Sequence, residues 1–150
     1  MGVGYLLDHE HGLTLTVFDG VVTGDEWRST ARQIFADPSW PPGRLNVTDL
    51  RTADLSAVTR ADRDEIYALN AQHAPKLVGM KSATIGGVNF EIAQKFERDD
   101  RTSGLRIIPF DDLGRACEWL GVPVPAVAAM IEQVRRQLRS PDAVTDRAEP

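Results

Sequence analysis

The chain has 150 residues, of which 42% are hydrophobic and 26% charged, the composition of one soluble globular domain. Its net charge of −5 excludes general nucleic-acid binding, which needs a surplus of cations facing the phosphates. The single cysteine, Cys117, excludes an internal disulfide. No stretch approaches the roughly 18 consecutive apolar residues of a membrane span.

Tyr5 to Asp8 and Leu13 to Phe18 are short apolar runs separated by His9-Glu10-His11-Gly12. Leu13, Leu15 and Val17 alternate with Thr14 and Thr16, which predicts a β-hairpin with one polar face. Thr23-Gly24-Asp25-Glu26 fits a capping box. Trp27, Ala31, Ile34 and Phe35 follow at helical spacing, and Asp37-Pro38 ends the helix. Pro41-Pro42-Gly43 is a turn, Arg44 to Leu50 a strand, and Arg51 to Val58 a looser segment.

Thr59 is the expected cap of a second helix. Asp62, Ile66, Leu69, His73 and Leu77 share one face of it, and Pro75 ends or kinks it. Ser82 to Ile85 reads as a strand running into Gly86-Gly87. Asn89 is the expected cap of a third helix carrying Phe90, Ala93 and Phe96, and Asp99 to Gly104 is a polar loop. Leu105 to Phe110 is the fifth strand; Pro109 lacks a ladder donor, which places that strand at an edge. Asp111 is the expected cap of a fourth helix with Leu113, Ala116, Cys117 and Leu120 inward, closed by Gly121. After Val122-Pro123-Val124-Pro125 comes an amphipathic helix, Ala126 to Arg139, and then a tail from Ser140 to Pro150 whose composition reads as disordered. The fold class expected is α/β: a mixed five-stranded sheet with an N-terminal β-hairpin, then alternating helices and strands, and an extra C-terminal helix.

Several groups have a chemical reading. Asp8-His9-Glu10-His11 looks metal-like, with His9 and His11 on one face of a strand, but the segment reads as a polar turn without a further ligand. No metal and no cofactor is expected. Cys117 reads as a buried small hydrophobe. Gly86-Gly87 sits between strand and helix, where an anion could meet free amides, yet no phosphate-binding pattern is present. Asp49 and Arg51 fall at the C-terminal end of the third strand, where ligands and partners gather in open α/β sheets. His73 lies on an apolar helix face and either caps a carbonyl or lines a pocket. No nucleophile-elbow serine is present; an enzymatic reading would have to use His73 or the Asp49/Arg51 pair.

Some local strings resemble a known family. They are Gly20 with Thr23 and Glu26-Trp27; Asp37-Pro38-Ser39-Trp40 with Gly43; Leu45 with Asp49-Leu50-Arg51; and Phe110-Asp111, Ala116 and Trp119-Leu120-Gly121. Over about residues 4 to 122 the chain resembles the small bacterial STAS-like proteins, related to anti-sigma-factor antagonists and grouped with CRAL-TRIO lipid-binding domains. The resemblance implies a mixed sheet of four or five strands with helices mainly on one side. It implies protein recognition or small apolar ligand binding, and no established chemistry. In the antagonists a phosphorylatable serine starts the helix after the third strand. The corresponding region here holds Ser56 and Thr59 without the antagonists' Asp-Ser-Ser-Gly string.

The expectation is a non-catalytic, cytoplasmic regulatory or protein-interaction domain over residues 1–121, with the helix of 122–139 appended. The partner is an unknown protein; the alternative is a small apolar ligand in a pocket lined by Trp27, Trp40, Phe90 and Phe96. Candidate recognition residues are Asp49, Arg51, Ser56, Thr59 and His73. The terminal helix carries an apolar stripe of Val127, Met130, Ile131, Val134 and Leu138. An isolated helix of this length is marginal in water, so the stripe docks on its own domain or, as a candidate interface, on a partner or second copy in a homodimer.

Overall fold

The structure, a computed structural model, describes residues 2–140; all but the first residue of the expected tail lies outside them. Strands β1 (Val3–Asp8), β2 (Leu13–Val21), β3 (Leu45–Asp54), β4 (Lys81–Ile85) and β5 (Arg106–Phe110) form one sheet in the order β1-β2-β3-β4-β5. The first pair is antiparallel and the others are parallel. Helices α1 (Gly24–Ala36), α2 (Arg60–Gln72), α3 (Ala74–Leu77), α4 (Phe90–Asp99), α5 (Leu113–Leu120) and α6 (Val124–Arg139) make the connections and the C-terminal addition. The expected α/β architecture is present, and β5 with Pro109 is an edge strand, where a missing donor costs nothing to the sheet.

Local chemistry explains most boundaries. Thr23 and Glu26 close a reciprocal capping box on α1, and Thr59 and Asp62 do the same on α2. Gly121, at φ +74°, ends α5 in the left-handed conformation that costs glycine least. Four details differ from the sequence reading. β3 runs on to Asp54 because Asp19, Gly20 and Val21 of β2 keep pairing with Thr52, Ala53 and Asp54. Asp112, not Asp111, caps α5, accepting from the Arg115 amide at 2.9 Å. Asn89 caps nothing: its Nδ2 donates to the carbonyls of Leu50 and Ala53, tying the turn after β4 to the end of β3. The last helix begins at Val124, with Pro125 in its first turn, where a missing donor is tolerated.

Alternation divides the sheet into two unlike faces. Leu13, Leu15, Val17, Val47, Ala83 and Ile85 form an apolar face, sealed by Leu113, Ala116, Cys117 and Leu120 of α5 and by Val127, Ile131 and Val134 of α6. The terminal stripe is therefore occupied by the chain's own sheet, with Met130 and Leu138 packed at its margin. The opposite face lies under α1, α2 and α4. Helices cover both faces, against the one-sided arrangement that the resemblance implies, because α5 packs over β4 and β5 and α6 returns across β1 and β2.

Fully burying each of Val127, Ile131 and Val134 stabilises the fold by roughly 1.5–3 kcal/mol before entropy is subtracted. Ile131→Ala is expected to lower the unfolding free energy in urea by roughly 2–5 kcal/mol. A loss below about 0.5 kcal/mol, the range of a free surface position, would contradict this docking.

Candidate functional site

The second sheet face is unusual for a covered one. Its positions on the three central strands are Thr14 and Thr16, Asn46 and Thr48, and Ser82 and Thr84. They stand in register as two rows, Thr14–Asn46–Ser82 and Thr16–Thr48–Thr84. Thr14, Ser82 and Thr84 are buried. Of the six side chains only Asn46 makes a hydrogen bond within the chain among the described residues, donating to the Met80 sulfur at 3.5 Å.

These rows floor a cavity of about 140 Å³. Trp27, Ala31, Ile34 and Phe35 of α1 form one wall, and Ile66, Tyr67 and Asn70 of α2 another. Phe96 of α4, Trp40, Asp100 and Ile107 complete it. The chamber is thus apolar on its walls and hydrogen-bonding on its floor, with a carboxylate at its margin. Of the aromatic residues expected to line a pocket, Trp27, Trp40 and Phe96 do so and Phe90 does not.

The roof is pinned by charge. Arg28 of α1 donates to Asp62 of α2 at 2.6 Å and pairs with Asp25 and, at 3.2 Å, with Glu65. A Cβ at Gly24 would strike the Asp62 carboxylate, so this helix pair approaches closely only through glycine. The Thr59 backbone amide and the Arg28 guanidinium hold Asp62 down at about 2.

The sequence-predicted residues lie elsewhere. Asp49 is fully buried on the apolar face, beneath α6. Its Oδ1 accepts from the Arg51 amide at 3.0 Å and from Arg51 Nε at 2.9 Å, and its Oδ2 accepts from Arg135 Nη2 at 2.9 Å. Arg139 adds a two-pronged pair with Asp19, both contacts 2.8 Å. That pair, with the Thr52 hydroxyl, keeps the Asp19 carboxyl below the usual carboxylate range. Asp49, braced by Arg51, thus holds the last helix to the sheet through Arg135. His73 stacks on Phe35, with ring centres 4.0 Å apart, and its Nδ1 sits 3.1 Å from the Leu69 carbonyl. It buttresses a cavity wall without lining the cavity.

Ser56 and Thr59 flank the β3–α2 loop. Asp54 Oδ1 accepts from the Ser56 amide at 3.0 Å and from its hydroxyl at 2.6 Å, while Thr59 is taken up by its cap. Ser56 also borders a surface hollow of about 250 Å³ with Trp27, Leu55, Val58, Arg63, Ile92, Lys95 and Phe96. Trp27 and Phe96 are common to the hollow and the cavity.

Three other groups have simpler roles. Gly87 takes φ +54°, and Gly86 is crowded by the Phe90 backbone, so both glycines serve the turn. Burial raises the Cys117 thiol above its ordinary value, which keeps it protonated and unreactive. In the first hairpin the ligand atoms of Asp8, Glu10 and His11, but not His9, come within 4.8 Å of one another. His11 Nδ1 already meets Asp8 Oδ2 at 2.8 Å, a contact that closes the turn.

This combination of sheet order and crossovers defines a SpoIIAA-like, STAS-type fold. The structure is similar to that of an uncharacterised protein of the DUF3478 family with a SpoIIAA-like fold from Shewanella loihica PV-4. The TM-score is 0.55 at 13% sequence identity, over 79% of this chain and 94% of that one. The likeness is one of fold. No protein-family model and no curated protein matches the chain. Among the described residues no helix is long and apolar enough to cross a membrane.

Asp49→Ala leaves two arginines facing a buried gap and is expected to lower stability by about 3 kcal/mol in urea unfolding; an unchanged midpoint would show that the clasp is idle. For Asp62, the folded value of about 2 lies below the roughly 3.9 of an unfolded aspartate. Its contribution is therefore complete at neutral pH and is lost as pH falls through the window between the two. The urea-midpoint deficit of Asp62→Asn is expected to shrink between pH 6 and pH 3; a constant deficit would rule out this linkage.

Proposed function

We propose that the protein is a non-catalytic regulatory domain that recognises a protein partner at the C-terminal edge of its sheet. The observation that carries this reading is the hollow beside Ser56. It offers apolar walls from Leu55, Val58 and Ile92 between two cations, Arg63 and Lys95. Such a site suits an apolar side chain flanked by a carboxylate. Val21 and Val88 stand exposed on either side of the β3 end, Val88 at 90%. Large apolar side chains left in water near a concave patch favour docking. The STAS-type fold supports the regulatory part of this reading. Residues 1–121 would form the recognition domain and 122–139 a helix seated on its back. With its apolar stripe already covered, that helix offers only its polar face to a second copy or a partner. The location we infer is the cytoplasm, on the strength of a single, buried cysteine.

The second reading, a small ligand, rests on the cavity, whose hydroxylated floor changes the chemistry expected of it.

A photo-crosslinking amino acid placed at Ser56 is expected to give a discrete adduct in cells, and the same group at Gln33, exposed at the far end of α1, none. Equal labelling from both positions, or none from Ser56, would refute the partner reading.

A further inference from the structure

We propose that the cavity between the sheet and helices α1, α2 and α4 binds a small amphiphile of aromatic-ring size, with an ammonium or other hydrogen-bond donor turned toward Asp100. This goes beyond partner recognition and does not depend on it.

Three observations carry the inference. The first is size: about 140 Å³ is close to the roughly 150 Å³ of an engineered apolar cavity that holds benzene. A single ring with a short substituent fits that space. The second is the floor. The Thr16–Thr48–Thr84 row crosses three strands in register; Thr84 is buried, Thr16 and Thr48 are half-buried, and all three face the cavity without a side-chain hydrogen bond among the described residues. Buried polar groups are nearly always satisfied by protein, water or ligand. Pairing by chance would not align three hydroxyls across three strands, while a polar edge laid along the row would meet all of them.

The third observation is Asp100. It is 7% exposed, and only Oδ2 is satisfied, accepting from Asn70 Nδ2 at 3.1 Å. Oδ1 is buried without a partner, as is the Tyr67 hydroxyl on the adjoining wall. Burial, reinforced by the charge of Asp99, also pushes the Tyr67 hydroxyl well above its ordinary value, so it remains a donor at neutral pH. A half-satisfied buried carboxylate is costly, and a donor or cation supplied by a ligand removes that cost. An anion would add a second negative charge to the same site. Trp27 borders both the cavity and the outer hollow.

The test uses the full chain and three probes of one shape: benzylamine, benzyl alcohol and benzoate. Binding is followed by NMR shifts and by the fluorescence of the two cavity tryptophans, Trp27 and Trp40, with Trp119→Phe as background. Saturable binding of benzylamine is expected, with shifts centred on Thr16, Thr48 and Thr84. Benzoate should bind at least about tenfold more weakly. Asp100→Asn is expected to weaken benzylamine by roughly tenfold, and benzyl alcohol by much less. Ala31→Leu fills the chamber from the α1 wall and should abolish binding of all three while the protein stays folded. It keeps the test decisive if Asp100→Asn does not fold. The proposal is overturned if no probe saturates below about 10 mM, if the shifts fall outside the cavity, or if benzoate matches benzylamine. Unchanged binding by Ala31→Leu would overturn it equally. None of these results bears on crosslinking at Ser56.

Discussion

A buried sheet face that carries hydroxyls where methyls would pack best constrains everything built above it. Thr14, Asn46 and Ser82, and then Thr16, Thr48 and Thr84, lie side by side on the three central strands. Had these been valines, α1 and α2 could have settled onto the sheet at van der Waals distance. Polar groups taken from water cost free energy unless they find partners, so the helices stand off and a cavity remains. The walls compensate with aromatic packing. Phe18, Trp27 and Phe96 meet at one end, with ring centres 5.5 and 5.3 Å apart, and Phe35, Trp40 and His73 meet at the other.

Such a face is affordable because the other one is complete. The apolar face packs against α5 and α6 with no polar interruption until Asp49, and there the interruption is answered by Arg51 and Arg135. A buried carboxylate gripped by two guanidiniums gives weak net stability but strong specificity of placement. It fixes where α6 lies, and the Arg139–Asp19 pair fixes its rotation. Stability is therefore concentrated on the side away from the cavity. The concave surfaces lie on the other side, under α1, α2 and α4 and beside Ser56.

Much of the fold could be read from local chemistry. One capping box, the Thr59 cap, the helical stripes and the Thr14/Thr16 alternation place the elements within a few residues. The site was harder, for physical reasons. Alternation shows that Thr14 and Thr16 share a face, but not whether water or a covering helix lies over it. Nor does any one strand reveal that its polar pair lines up with those of its neighbours, since register is a long-range property. Asp49 and Arg51 drew attention as a recognition pair because their partner, Arg135, is 86 residues away. Asp100 looked like one acid among several in a polar loop; its burial depends on Asn70 from α2. Three Thr/Ser/Asn pairs, one on each of three expected strands, were the signal available, and it becomes visible only when the strands are set side by side.

The central claim is that the floor hydroxyls are kept for a ligand and do not serve the fold, and Thr48→Val tests it most directly. The substitution preserves shape and exchanges one hydroxyl for a methyl. The account predicts an unfolding free energy in urea that is unchanged or raised, together with weaker benzylamine binding, because a half-buried hydroxyl without a partner in the chain contributes nothing to the folded state. A loss of about 1–3 kcal/mol, as expected when a satisfied hydrogen bond is broken, with benzylamine affinity retained, would contradict it.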